Sequence, residues 1–301
     1  MVKKFLIILF ISLFVFISGL LVYNIFFAGN DPGHNVSGYF REQFPYVLSK
    51  PERKSFLPIE LKEISGISYW KDNSIVAIED EHGIIYMIDY QTGRITARYE
   101  FASDGDYEDI TVEGKNVYVL RNSGKIFRVK NLGKEKQKDK KYEPDLDLAK
   151  NTEGLCYYQK LNVLLITYKS IKEKKNDGII QVGTKPIFAF DLETRKILPE
   201  PVFILDFEKI RKISGMQITS YDFKPSGIAI HPISGYIYLI SSIAKLLLVI
   251  DAEGNLVFLV PLDSAIFRQP EGICFLPDGS MLISSEGRGG NGYLLFFPYK
   301  L

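Results

Sequence analysis

The chain has 301 residues, 46 % apolar and 24 % charged, with a formal net charge of +1. That balance describes a globular protein long enough for one large domain or two ordinary ones, and it excludes global disorder. The near-neutral charge carries no electrostatic footprint for nucleic acid. The lysine clusters at 130–141 and 169–175 are interrupted by Glu and Asp and read as solvated loops.

The first predicted element is a membrane helix. Lys3 and Lys4 precede an uncharged apolar run at 5–27, FLIILFISLFVFISGLLVYNIFF. The run is longer than the roughly 20 residues that cross a bilayer, and it exceeds the roughly 7–15 of a cleavable signal core. No A-x-A site follows it and no Cys stands beside it. The leading lysines favour a cytoplasmic N-terminus. Residues 1–29 are therefore expected to be a signal anchor, with everything that follows outside the cytoplasm. Residues 30–50, with DPGHNVSGYF and Pro45, are expected to be a tether, and 51–301 the folded domain.

From there a motif repeats. Ser65-Gly66-Ile67, Glu108-Asp109-Ile110, Glu153-Gly154-Leu155, Ser226-Gly227-Ile228 and Glu271-Gly272-Ile273 each open a short apolar strand. In the first four units three further runs follow the opening, as in SGISYW, SIVAIED, IIYMIDY and ITARYEF, the last run of the second unit being weak. Three of the four intervals match the roughly 40–50 residues of a four-stranded propeller blade. The longer one, from Gly154 to Gly227, holds insertions around 170–185 and 207–224. The last unit lacks its outermost strand, and ERKSFLPIEL at 52–61 stands where that strand is missing. The expected fold is thus all-β: a five-bladed β-propeller closed by an N-terminal strand, which leaves no open edge. A six-bladed ring would need another blade within 170–224, where strand runs are too few.

Blade geometry gathers residues that are far apart in the chain. The start of the innermost strand and the end of the second lie at one rim. Ser65, Glu108, Glu153, Ser226 and Glu271 would ring the channel there, with Glu79, Asp80, Arg121, Lys169 and Glu286 beside them. Like charges so placed raise one another's pKa unless a cation neutralises them. Oxygen-only donors suit a hard ion, so Glu108, Glu153 and Glu271 are a candidate Ca²⁺ set. Glu79, Glu153, Glu271 and Glu286 are candidate acid/base residues for hydrolysis of an ester, phosphoester or glycosidic bond. No G-x-S-x-G occurs, His34, His82 and His231 are dispersed, and GRGGNG at 287–292 lacks the Lys-Ser/Thr of a phosphate loop. Cys156 and Cys274 read as buried free thiols, and Trp70 as a packing residue.

The runs EISGISYW, DYEDITVEG, NTEGLCYY, PSGIAIHPISGYIYLISS and QPEGICFLPDGSMLISSEGRGGNGYLLFF resemble the SdiA-regulated family of bacterial β-propellers, over about residues 60–301. The resemblance implies an extracytoplasmic, often membrane-attached propeller without a settled activity. It also implies a distant similarity to phytase-like esterases, which use acidic Ca²⁺ sites in a propeller channel. Ser in place of Glu in two blades and the inserted loops depart from the family pattern. The expected function is a membrane-anchored binding module with an acidic channel mouth, its partner an envelope protein, glycan or small molecule. A Ca²⁺-dependent hydrolase is the alternative.

Overall fold

The computed structural model describes residues 44–135, 137–144, 151–170 and 182–300. The expected membrane helix at 5–27 lies outside these residues. Among those described, no helix is long and apolar enough to cross a membrane.

Five four-stranded antiparallel sheets form the body. The first contains β2 (Ile64–Lys71), β3 (Ser74–Glu79), β4 (Ile84–Asp89) and β5 (Arg94–Glu100), which follow β1 (Arg53–Phe56) in the chain. The second contains β6 (Tyr107–Glu113), β7 (Asn116–Arg121), β8 (Ile126–Lys130) and β9 (Lys138–Tyr142). The third contains β10 (Thr152–Tyr158), β11 (Val163–Tyr168), β12 (Thr184–Asp191) and β13 (Phe203–Asp206). The fourth contains β14 (Gly227–Ile230), β15 (Ile237–Ser241), β16 (Leu246–Ile250) and β17 (Leu256–Pro261). The last combines β18 (Pro270–Phe275), β19 (Met281–Ser285) and β20 (Tyr293–Phe297) with β1, which pairs with β20 from Arg53↔Phe296 to Phe56↔Tyr293. The N-terminal strand therefore closes the last blade, as its sequence position predicts.

The ring is held by the space between blades. The middle strands carry apolar residues on both faces, because each face meets a different neighbour. In β15, Ile237 and Leu239 pack towards the third blade, while Tyr238 and Ile240 pack towards the fifth. The same sharing joins the first blade to the fifth, to the second, and the second to the third. Trp70 packs at the edge of the core between the first two blades.

The second insertion holds a helix, α1 (Phe207–Ser214). The Asp206 carboxylate accepts from the Glu208 and Lys209 amides, and Gly215 ends the helix at φ 73°. Phe207 and Ile210 bury against the core shared by the third and fourth blades, so this segment is packed structure and not an open loop.

The packed body also begins earlier than the expected boundary at residue 51. Phe44, Tyr46 and Leu48 are buried against the fourth and fifth blades, and the Tyr46 hydroxyl donates to the Gly279 carbonyl at 2.6 Å. From Phe44 onward the expected tether is part of the fold. Three aromatic or aliphatic side chains on alternate residues find apolar partners in Tyr238, Phe258 and Phe275.

Candidate functional site

The repeated motif is explained by how closely the inner strands approach. A Cβ on Gly227 would lie 2.4 Å from the Glu271 carbonyl oxygen, and one on Gly272 would lie 2.9 Å from both the Ile67 nitrogen and the Ser65 oxygen. One on Gly154 would meet the Ile228 side chain at 2.9 Å. Glycine is required at these points for backbone clearance. Asp109 breaks the pattern and turns it to use. Its buried carboxylate accepts from the Ile110 amide at 2.8 Å and from Leu155, on the next blade, at 2.7 Å. Burial nevertheless pushes its pKa well above the usual range.

Bulges interrupt four of the innermost strands where the motif falls. Register shifts fall between Ile64 and Ile67, Tyr107 and Asp109, Thr152 and Leu155, and Pro270 and Ile273. A bulge re-aims side chains and leaves an amide without its ladder partner. In the two Glu-Gly blades a hydroxyl of the second strand takes that amide: Gly154 donates to Thr167 Oγ1 and Gly272 to Ser284 Oγ, each at 2.9 Å. Sequence reasoning missed this role. Its signal is a hydroxyl in an otherwise apolar second strand, present where Glu-Gly opens the first.

At the mouth, Glu153 is 3 % exposed. Lys169 Nζ stands 2.9 Å from its Oε1. That oxygen is buried, and the Lys169 ammonium is its ion-pair partner. Burial raises the Glu153 pKa, and Lys169 opposes the rise. Burial in turn works against the Lys169 charge, but Glu153, then Glu108 and Glu271, outweigh it and keep the amine protonated. Glu108 accepts from Asn122 Nδ2 at 2.7 Å; burial and then the Glu153 charge push its pKa up to about 8. Glu271 is pushed up to about 8 by burial, then by Glu286 and Glu153. Glu286 reaches about 7 through burial, then Asp80 and Glu63. Gln269 opposes both rises, and Arg288 Nε donates to its amide oxygen at 3.0 Å.

Glu108, Glu153 and Glu271 are thus electrostatic neighbours of Lys169, and Glu286 is a neighbour of Glu271. Glu79 is engaged differently. Its carboxylate accepts from the Glu81 and His82 amides and meets His82 Nδ1 at 3.0 Å, so it shapes its own turn. Among the described residues, the acid or histidine side chains whose ligand atoms lie mutually within 4.8 Å are Glu79, Glu81 and His82, a different set from the expected Ca²⁺ donors. Lys185, buried at the start of β12, donates to the Lys169 carbonyl at 3.0 Å; burial and then Lys224 lower its pKa to about 8. His231 is buried at the far end of β14 and accepts from the Ser234 amide, away from the acids.

The family model described as SdiA-regulated matches residues 52–289. The chain belongs to the SdiA-regulated family. No curated protein sequence matches it. This SdiA-regulated propeller is similar in structure to Myxococcus xanthus glutaminyl cyclase, with TM-score 0.55 and 12 % identity over 83 % of this chain and 96 % of that one. It is also similar to an aldose sugar dehydrogenase from Streptomyces coelicolor in its PQQ-bound form, with TM-score 0.49 and 11 % identity over 83 % and 97 %. A streptogramin B lyase gives TM-score 0.47 and 16 % identity over 81 % and 97 %. At 12 % identity the likeness to the cyclase speaks for the fold alone.

Proposed function

We propose that this SdiA-regulated propeller is a membrane-anchored, extracytoplasmic binding module whose acidic channel mouth takes up a small molecule. The apolar run at 5–27 behind Lys3 and Lys4 supports the anchor. The observation that carries the binding reading is the pairing of buried Glu153 with Lys169, among carboxyl groups that retain protons near neutral pH. Such a mouth offers charge, donors and acceptors to a ligand. Calcium at Glu108, Glu153 and Glu271 has to displace the Lys169 ammonium and the protons on Glu108 and Glu271, so it is a competitor in the same titration.

The test is a thermal-shift screen of charged and neutral small molecules and Ca²⁺ against the full chain, repeated on Glu153→Gln and Glu271→Gln. Binding predicts ligands that raise Tm in the wild type and lose the effect in both variants. A screen in which nothing binds, or in which every shift survives both substitutions, refutes the reading.

One observation favours a hydrolase as the second reading. The Glu286 charge adds to the burial that lifts Glu271 to about 8, and Glu286 itself reaches about 7, so between those values one carboxyl is protonated while the other is ionised, as an acid/base pair requires. Turnover of an ester, phosphoester or glycoside that disappears in Glu271→Gln would transfer the assignment to that class.

A further inference from the structure

Lys169 and Glu153 are unequally committed to their contact. The Glu153 side chain is 4 % exposed and the Lys169 side chain 43 %. The carboxylate has nowhere else to go, whereas the lysine can swing into solvent. Only its side chain is free to do so. The Lys169 amide donates to the Asn151 carbonyl at 3.0 Å, and its own carbonyl accepts from Lys185 at 3.0 Å. Departure of the ammonium strands a buried charge, so it is favourable only when another cation arrives. The buried Glu153 oxygen holds the Lys169 ammonium at 2.9 Å, and a carboxylate oxygen has a second acceptor direction for a further donor.

The carboxylates around that position also select among cations. A calcium shell brings its oxygens to roughly 2.3–2.6 Å from one centre, and so within about 5 Å of one another. Glu108, Glu153 and Glu271 are not a set with ligand atoms that close. An ammonium group needs two or three acceptors at ordinary hydrogen-bond distances, and Lys169 already shows that the space accepts one.

Building on the binding reading above, we infer that Lys169 is a tethered occupant of a site for a primary ammonium group, and that the ligand of the mouth is a small molecule carrying such a group. The ligand's ammonium replaces that of Lys169 beside Glu153, with Glu108 and Glu271 as further acceptors, and Lys169 rotates outward. No bond is made or broken.

The experiment titrates n-butylammonium, a mimic of the lysine side chain, into the full chain by calorimetry. Wild type, Lys169→Ala, and Lys169→Ala combined with Glu153→Gln are compared, with butan-1-ol, tetramethylammonium and Ca²⁺ as control ligands. Removing the tethered competitor is expected to tighten butylammonium binding at least tenfold, and adding Glu153→Gln to abolish it. Butanol and tetramethylammonium, which lack the charge or the N–H donors, bind neither form. If Lys169→Ala is unstable, butylammonium raises its Tm and butanol does not. Lys169→Gln, which keeps a donor towards Glu153, replaces the alanine variant if that one does not fold. Equal butylammonium affinity in wild type and variant overturns the proposal. So does Ca²⁺ binding to Lys169→Ala without butylammonium binding. A neutral or anionic screening hit that depends on Glu153 would remove the ammonium class while leaving the binding mouth intact.

Discussion

Gly227→Ala tests whether the inner strands are as close as the motif requires. Gly227 sits in β14, and the added methyl would stand 2.4 Å from the Glu271 carbonyl oxygen and 3.3 Å from Ile240 Cγ2. The strand has to retreat by about 1 Å to restore an ordinary carbon–oxygen contact. Overpacking of this kind costs about 1–3 kcal/mol. Alanine returns about 0.4–1 kcal/mol by restricting the unfolded chain. The expected net loss is about 1–2 kcal/mol, or about 2–8 °C in Tm for a domain of this size. Urea unfolding of the full chain, followed by the fluorescence of the single tryptophan, Trp70, reports it. The control is Gly290→Ala, where the nearest contact is the Gly287 carbonyl oxygen at 3.6 Å. It should be neutral or gain up to about 1 kcal/mol. A Gly227→Ala chain that unfolds at or above the wild-type midpoint would show that the blades are not packed backbone against backbone, and the spacing of the acids would need another cause.

The mouth should make stability fall as pH rises. Glu271 has a folded pKa of about 8, above its value of 4.5 when solvated, so the folded state holds the extra proton and loses stability from about pH 4.5 up to about 8. Glu271→Gln should therefore stabilise the protein at pH 8, leave it almost unchanged near pH 4.5, and flatten the profile between; an unchanged profile in urea melts taken across that range would contradict the burial of this carboxyl. At the other rim, Tyr46→Phe removes the bond to the Gly279 carbonyl and should cost about 1 kcal/mol. Tyr46→Ala also removes a ring packed against Tyr238, Phe275 and Tyr299 and should cost about 3–5 kcal/mol, measured in the same way; near-equal effects would mean that the ring packing contributes little.

Much of the molecule was legible before any coordinates. The three inner strands of each blade lie under runs of Val, Ile, Leu, Tyr and Phe, the charged outer strand β9 (KDKKY) gives only a weak signal, and the misplaced outermost strand could be found because a ring has to close. Local pattern suffices there, since strand periodicity and turn chemistry are properties of neighbouring residues. The segment around Tyr46 was not legible. Its alternating Phe44, Tyr46 and Leu48 are too few to announce a packed element, and their partners lie some two hundred residues away. Helix α1 was hidden for the same reason, as a single amphipathic stretch inside an insertion.

The site divides along the same line. The amino-acid sequence alone determined that Ser or Glu followed by a residue able to sit against a neighbouring backbone opens each blade, and hence that several acids share one rim. Only the tertiary structure decided which of them act together. Glu79 turned back onto the Glu81 and His82 amides, while Lys169 took its place beside Glu153. Those outcomes depend on bulges, burial and side-chain reach across blades, quantities set by three-dimensional proximity and absent from any local window of the chain.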